Sequence, residues 1–579
     1  MINIKENEKL NMLNHSCAHL LAHAVKHLYP NAKFWVGPVV ENGFYYDIDL
    51  GDEVLTEEDL PKIEKEMKKI SKSDKLIKRI ELSKEEAKEM FKDDLYKLDL
   101  IERMDEEDTI ISAYKQDDFI DLCRGPHMPT TKSMKYFKLL KFSGAYWKGD
   151  AKNKMLQRIY GVCYETEEDL NEHLNFLEEA KKRDHKKLGR ELGLFMISEY
   201  GPGFPFFLPN GMILRNELEN FWYGEHTKEG YKFVKTPIML NQELWEVSGH
   251  WYNYRENMYT SEIDDRLFAV KPMNCPGGML VYKNELHSYK DLPLRMGELG
   301  LVHRHEASGA LNGLFRVRTF TQDDAHIFMT EDQMEEEIIK LIHFIDRVYK
   351  MFNLPYTIEL STRPEEKYIG EIAVWDRAEK ILEEACKKSG HVAKINPGDG
   401  AFYGPKLDFH VTDSLGREWQ CGTIQLDMNL PERFDLNYID KDGSKKRPIM
   451  LHRVIFGSVE RFIGILIEHF AGVFPLWLAP IQLNVIPVNN EYHLEYANEV
   501  YELLKDNGFR VELDDREEKL GYKMRESVIK KIPYSIILGQ KEVDNKNISY
   551  RVHGSEETIT VSIEEFVNLI KNKINSREI

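Results

Sequence analysis

Three short stretches carry side chains suited to chemistry. The first is "LVHRHEASGALNGLFRVRTFTQDDAHIF", residues 301–328. "ASGALNG" is turn-rich and lies between two strand-like runs, which predicts a long hairpin loop. Alternate residues of an extended strand share a face. On the second strand that face holds Arg316, Arg318, Phe320, Gln322, Asp324 and His326, and the first strand adds Arg304 and Glu306. A core cannot absorb such a set, because unpaired buried charge is costly. A solvated sheet face with ion pairs would accept the charges but has little need of Phe320 or His326. A nucleoside triphosphate site needs all of them: arginines for phosphates and an aromatic plate for the base.

The second stretch pairs "HSCAH", with His15 and His19 four apart on one helical face, with "DLCRGPH", holding Asp121, Cys123 and His127. The third is "VKPMNCPGG", 270–278. Cys275 has no cysteine near it in sequence, and a lone cysteine is most often a small core hydrophobe. A ligand role would need partners brought from far along the chain.

The elements that must position these groups follow from patterning. The chain has 579 residues, 42% hydrophobic and 31% charged, an ordinary globular balance of several domains. The N-terminus is polar, with no apolar stretch of signal-peptide length. The greasiest run, "FIGILIEHFAGVFPLWLAPI", contains Glu468, His469 and two prolines, so it reads as buried helix and loop and no membrane span is expected. Cys17, Cys123, Cys163, Cys275, Cys386 and Cys421 lack the spacing of a disulfide framework, which points to a reduced, cytoplasmic protein. The net charge of −19 argues against nucleic acid, but 79 lysines and arginines suffice to line one face.

An α+β multidomain chain is predicted. Residues 1–165 mix a helix at "LNHSCAHLLAHAVKHLY", a charged amphipathic helix at "TEEDLPKIEKEMKKISKS", and strands at "GFYYDIDL" and "FKLLKFSGAYWKGD". Residues 166–190 read as one long polar connecting helix. Residues 191–476 read as an antiparallel sheet with packed helices. Residues 477–579 alternate strands such as "IQLNVIPV" and "YSIILGQ" with helices, which predicts a small α/β domain.

On these residues the chain resembles the class II aminoacyl-tRNA synthetases. "GLVHRHEASG…FRVRTF" is similar to their motif 2, "FGSVERFIGILIEHFAG" to motif 3 with Arg461, and "LRNELENFWYGEHTKEGYKFVKTPIM" to motif 1 with Pro237. Together, "KPMNCPG", "TQDDAHIF", "AFYGPKLDFHV", "WQCGTIQLD" and "LHRVIFGSVERF" resemble the threonyl-tRNA synthetase family, from about residue 10 to the C-terminus.

The resemblance implies a class II catalytic core at 191–476, an editing domain at 1–165 and an anticodon-binding domain at 477–579. It implies one Zn²⁺ on Cys275, His326 and His452, and three protein ligands leave the open position of a working zinc. It places Arg304, Glu306, Arg316, Phe320, Gln420 and Arg461 on ATP with Mg²⁺, and Met273, Gln322, Asp324, Tyr403 and Gln425 on threonine. Lys406 is a looser phosphate or carboxylate contact. His15, His19, Lys97, Asp121, Cys123 and His127 line the editing pocket. Lys541, Glu542 and Arg551 face the anticodon. Partners are threonine, ATP, tRNA(Thr) and a second copy of the chain, through motif 1.

A zinc that binds a hydroxyl rejects valine by about 10⁴ or more, but one missing methyl separates serine by only about 10–200-fold. A correcting site against seryl-tRNA(Thr) is therefore expected. His15, His19, Cys123 and His127 would also make a zinc site, whereas the family works there by histidine general base and water, and the metal-free reading is preferred. Most bacterial-type members carry a further small domain before "HSCAH". Only 14 residues precede His15, so that domain is expected to be absent, and the family's tRNA affinity and any mRNA autoregulation are not carried over to this chain. A prolyl, glycyl or histidyl enzyme would lack the Cys275/His326/His452 set. A derived RNA-binding protein without catalysis would lack Arg304, Arg316 or Arg461.

Overall fold

The computed structural model describes residues 3–104, 110–150, 152–366 and 368–579. They divide into two compact units, 1–179 and 180–579.

In the first unit, helix α1 (Glu8–Leu28) starts at Asn7, whose side chain accepts from the Leu10 N–H. The apolar face of α1 lies in a core shared with strand β1 (Gly43–Asp49), helix α2 (Asp59–Lys72), and strands β2 (Tyr136–Tyr146) and β3 (Met155–Tyr164). Strand β1 pairs with β3, and β3 with β2, all antiparallel. A separate three-stranded sheet contains Ile77–Leu82, Ile111–Gln116 and Phe119–Leu122.

The expected connector at 166–190 is two helices, Glu167–Arg183 and His185–Glu191. Asp184 interrupts them. Its carboxylate accepts from the Lys186 and Lys187 N–H groups, so it caps a new helix rather than continuing the old one.

The second unit is built on an eight-stranded sheet. Its strands are β4 (Lys232–Phe233), β5 (Leu294–His303), β6 (Thr319–Met329), β7 (Tyr356–Ser361), β8 (Ala393–Asn396), β9 (Lys406–Thr412), β10 (Glu418–Asp427) and β11 (Ile449–Val454), in the order β4-β5-β6-β11-β10-β9-β7-β8. The six inner strands run antiparallel, and only the edge pairs β4·β5 and β7·β8 are parallel. Alternation separates its two faces. Ala325, Ile327, Ile424, Leu426 and Leu451 point into the main core with helices Met334–Met351 and Val459–His469, while Gln322, Asp324, Thr423, Gln425 and His452 point the other way.

One expectation changes here. Strands β5 and β6 stop at His303 and start at Thr319, so Arg304, Glu306, Arg316 and Arg318 belong to the connecting loop, not to the ladder. The loop mouth is still tied, with the Arg304 N–H donating to the Arg318 carbonyl at 2.9 Å.

The C-terminal part holds five strands, one more than the pattern suggested. Leu483–Pro487, Val511–Leu513 and Tyr534–Leu538 are mutually parallel, and Asn547–Val552 and then Ile559–Ser562 extend the sheet antiparallel on one side. "ITVS" was hidden in polar sequence because its side chains are only partly buried.

Candidate active site and candidate editing pocket

Strand register sets the first site. His326 lies directly opposite His452 across β6 and β11, and His452 lies opposite Gln425 on β10. Their ring centroids are 5.1 Å apart. Cys275 opens the helix Cys275–Lys283, with Pro276 in its first turn, where a missing N–H costs nothing. The ligating atoms of Cys275, His326 and His452 all lie within 4.8 Å of one another, and all three residues are buried.

The donor chemistry fits a divalent cation. His326 Nε2 is buried with no hydrogen-bond partner, a costly state unless something else occupies it. His452 donates from Nε2 to Asp427 Oδ2 at 2.8 Å, leaving Nδ1 uncommitted, the carboxylate–histidine arrangement of metal sites. Burial alone would push the Cys275 thiol up, but the imidazole of His452, with those of His250 and His326 beside it, holds it well below the usual range. A Cβ at Gly278 would stand 3.3 Å from His326 Nδ1, so glycine there lets the helix start approach the ring without displacing it.

Above this cluster opens a cleft of about 560 Å³. Met273, Cys275, Arg304, Glu306, Arg316, Phe320, Gln322, Asp324, Tyr403, Gln420, Gln425, His452 and Arg461 all line it. Three guanidinium groups thus meet in one cavity, where burial and the neighbouring charges of Arg316 and Arg304 lower the pKa of Arg461. A cavity so charged favours an anionic guest.

Arg304 is held from Nε to the Pro272 carbonyl at 3.1 Å and stacks 5.1 Å over Phe320. Arg316 pairs with Glu306 at 3.0 Å. Arg461 donates to the Phe315 and Gln420 carbonyls, both at 3.1 Å. Gln420 donates to Asp408 at 2.8 Å, Asn274 to Asp324 at 3.0 Å, and the Tyr403 hydroxyl to Gln425.

Two sequence candidates lie elsewhere. Arg318 spends its guanidinium on the Glu306 and Pro202 carbonyls and on Ser308, so it braces the loop. Lys406 pairs with Asp408 at 2.5 Å and Asp399 at 3.1 Å and does not line the cleft.

Sequence reasoning missed Glu460, beside Arg461. Buried, it accepts the Thr321 N–H at 2.7 Å and pairs with Arg215 at 2.8 Å, while Arg215 also reaches Thr321 Oγ1 at 2.7 Å. This clamp fixes the helix bearing Arg461 against β6. The signal was available as an acid beside Arg461 at the start of a mostly apolar helix. Asp323 was missed too; its carboxylate takes the Ile455 and Phe456 N–H groups at 2.8 and 3.0 Å.

In the first unit, His15 and His19 from α1 meet Cys123 and His127. The rings of His15 and His19 are each 4.4 Å from that of His127, and Cys123 Sγ is 3.2 Å from both His15 Nε2 and His127 Nε2. Asp121 stands behind, 3.3 Å from His19 Nδ1 and 2.5 Å from Lys97 Nζ. Tyr46, which the sequence reading overlooked in "GFYYDIDL", donates its hydroxyl to the same carboxylate. Burial lowers His15 and takes His19 down to about 4, and lowers His127 further. The histidines are therefore neutral at pH 7. Burial raises Cys123 to about 11, so it is a thiol, unlike Cys275.

Of the anticodon candidates, Lys541 and Glu542 sit on the short helix Gln540–Asn545 and Arg551 on the strand Asn547–Val552. Both Glu542 oxygens are engaged, by the Gly539 N–H at 2.9 Å and Ser549 Oγ at 2.7 Å.

Family models match three segments: the class II tRNA synthetase core domain (G, H, P, S and T) at 259–470, the anticodon binding domain at 482–573, and the threonyl and alanyl tRNA synthetase second additional domain at 111–160. A threonine–tRNA ligase of Clostridioides difficile is 56% identical over 100% of this chain and 90% of its own. That of Fusobacterium nucleatum is 58% identical over 98% of this chain and 92% of its own. The crystal structure of the RNA binding domain of threonyl-tRNA synthetase from Cryptosporidium parvum superposes with a TM-score of 0.65 at 39% identity, covering 67% of this chain and 98% of that one. With three arginines and an aromatic plate around one cleft, a Cys/His/His cluster at its base, and relatives this similar along the whole length, the chain belongs to the threonine–tRNA ligase family.

Proposed function

We propose that this chain joins threonine to tRNA(Thr) in two steps, and hydrolyses seryl-tRNA(Thr) formed in error. The observation that carries the reading is the convergence of Cys275, His326 and His452, the first and last of which also line the arginine-rich cleft. The division of labour follows as editing at 1–165, connection at 166–190, catalysis at 191–476 and anticodon binding at 477–579.

ATP lies in the cleft with its base on Phe320 and its amino group at Glu306, and Arg304, Arg316, Arg461 and Mg²⁺ hold the bent triphosphate, with Gln420 alongside. Met273, Gln322, Asp324, Tyr403 and Gln425 surround threonine. The threonine carboxylate attacks the α-phosphorus, pyrophosphate leaves, and Arg304 and Arg461 stabilise the charge that builds on the phosphoryl oxygens. No protein nucleophile is needed, so positioning supplies much of the rate. The terminal ribose hydroxyl of the tRNA then attacks the threonyl carbonyl carbon, the acyl–phosphate bond breaks and AMP leaves. A Zn²⁺ on Cys275, His326 and His452 supplies a coordination position that a side-chain hydroxyl can fill and a methyl cannot.

In the first unit a neutral histidine accepts a proton from water, with Asp121 and Lys97 fixing His19. The pocket is read here in its metal-free version, with Cys123 as a thiol. The enzyme acts as a cytoplasmic homodimer, and among the described residues no helix is long and apolar enough to cross a membrane.

The test is aminoacylation of tRNA(Thr) with threonine, serine and valine by the wild type and by His19→Ala. The expected result is threonylation by both, no valylation, and seryl-tRNA accumulating only with the variant. Equal seryl-tRNA from both would remove the editing assignment, and no threonylation would remove the ligase.

A further inference from the structure

Helix α1 continues the histidine spacing beyond the editing pocket. His23 and His27 follow His19 at the same interval, one turn at a time, and meet Asp118 from the two-residue turn between Gln116 and Phe119. His23 Nε2 and His27 Nε2 are 3.0 Å apart, and both approach the same oxygen, Asp118 Oδ1, at 2.8 and 3.3 Å. Those three donor atoms form a nearly equilateral triangle.

A tetrahedral Zn²⁺ with bonds of about 2.0–2.1 Å has edges of about 3.3 Å between its ligand atoms. The triangle is one face of such a site with little rearrangement. Without a cation one of the two Nε2 atoms must carry a hydrogen toward the other's lone pair, whereas a cation lets both present lone pairs.

The second layer points the same way. His27 Nδ1 lies 3.1 Å from Glu66 Oε1, and Glu66 is itself steadied by Lys69 at 2.6 Å on its other oxygen. His23 Nδ1 lies 2.9 Å from the Gln116 side-chain nitrogen, and Gln116 Oε1 is buried with no partner. A half-turn of that amide lets Oε1 accept from Nδ1–H. Each histidine then has its outer nitrogen anchored and its Nε2 lone pair free, the orientation that metal-binding histidines require. Phe119 stacks on the His23 ring at 5.4 Å and holds its plane. Asp118 and His27 face solvent, which leaves a coordination position open to water.

We propose that His23, His27 and Asp118 form a second divalent-cation site of the chain, selective for Zn²⁺ and its borderline neighbours over Mg²⁺ and Ca²⁺, with Glu66 and Gln116 as positioning residues. Two imidazoles and one carboxylate favour such ions over hard cations, which take oxygen ligands. The site stands apart from the four-residue editing cluster and does not depend on that cluster's chemistry.

The full chain is dialysed against buffered Zn²⁺ in excess Mg²⁺, and bound zinc is counted by elemental analysis, with threonylation as the control for folding. Wild type is expected to hold one more equivalent than His27→Gln or Asp118→Asn. Cys123→Ser is expected to keep that equivalent, which separates the site from the editing cluster. Glu66→Gln is expected to weaken it by about 10–100-fold without abolishing it. Equal zinc in wild type, His27→Gln and Asp118→Asn overturns the proposal. So does loss of the extra equivalent in Cys123→Ser, or its displacement by Mg²⁺.

Discussion

Replacing Asp427 by Asn tests the metal-site reading without touching a ligand. Asp427 is fully buried. Its Oδ1 accepts the Asn429 and Leu430 N–H groups at 2.7 and 3.0 Å, and its Oδ2 accepts from His452 Nε2 at 2.8 Å. In Asp427→Asn the side-chain oxygen stays with the two backbone donors, which turns the NH₂ toward His452. Two donors then face each other. His452 escapes by moving its proton to Nδ1, the nitrogen that was free to bind the cation.

A hydrogen bond to a charged group is worth about 1.5–3 kcal/mol. Loss of an outer-shell carboxylate costs about 10–100-fold in metal affinity, equivalent to about 1.4–2.7 kcal/mol, so the two routes agree. Zinc retention by the full chain against a competing chelator measures the first effect. Threonine-dependent pyrophosphate exchange measures the second. The KM for threonine is expected to rise about tenfold or more while the KM for ATP stays within about twofold, because Arg304, Phe320 and Arg461 are untouched. If zinc affinity and the threonine KM both stay within about twofold of wild type, His452 is not a ligand oriented by Asp427.

Two further outcomes follow from buried charge. His19 binds its proton only near pH 4 in the folded unit, chiefly through burial, whereas the unfolded chain binds it near 6.5. Its contribution is therefore fully present above pH 6.5 and is lost as pH falls toward 4, by about 3 kcal/mol at most. Urea unfolding at stepped pH should show a shallower loss for His19→Gln than for wild type in that window, and parallel curves would contradict it. Glu460→Ala strands the Thr321 N–H and takes one of two carboxylates from Arg215, which keeps Glu219 at 2.7 Å, and should cost about 1–3 kcal/mol. Chemical denaturation of the core reads this directly, and a change under about 1 kcal/mol would mean the clamp is idle.

The chain's patterning was informative where one face of a strand is wet and the other buried. The even positions from Phe320 to His326 were readable because Thr321, Asp323, Ala325 and Ile327 alternate with them into the core side. It misled at Arg304 and Arg316, since alternation says nothing about where pairing stops. The helix break at Asp184 was present as a capping residue, but a polar run without apolar periodicity does not locate it. Glu460, Asp323 and Tyr46 escaped notice because their role is to satisfy buried groups of partners distant in sequence, and no local pattern announces such pairings. The resemblance supplied the long-range set of Cys275, His326 and His452, which spacing alone could not assemble.

The two-sided strand Thr319–Met329 also limits how this gene can change. Ala325, Ile327 and Met329 anchor one side in the core, and Gln322, Asp324 and His326 face the other. Inserting or deleting one residue there would exchange the two sets wholesale, sending acid and imidazole into oil and aliphatic groups into the cleft. Length changes in even steps keep the parity. The aliphatic side thus acts as a reading frame for the catalytic one, and an overlarge substitution at Ala325 would disturb chemistry it never touches.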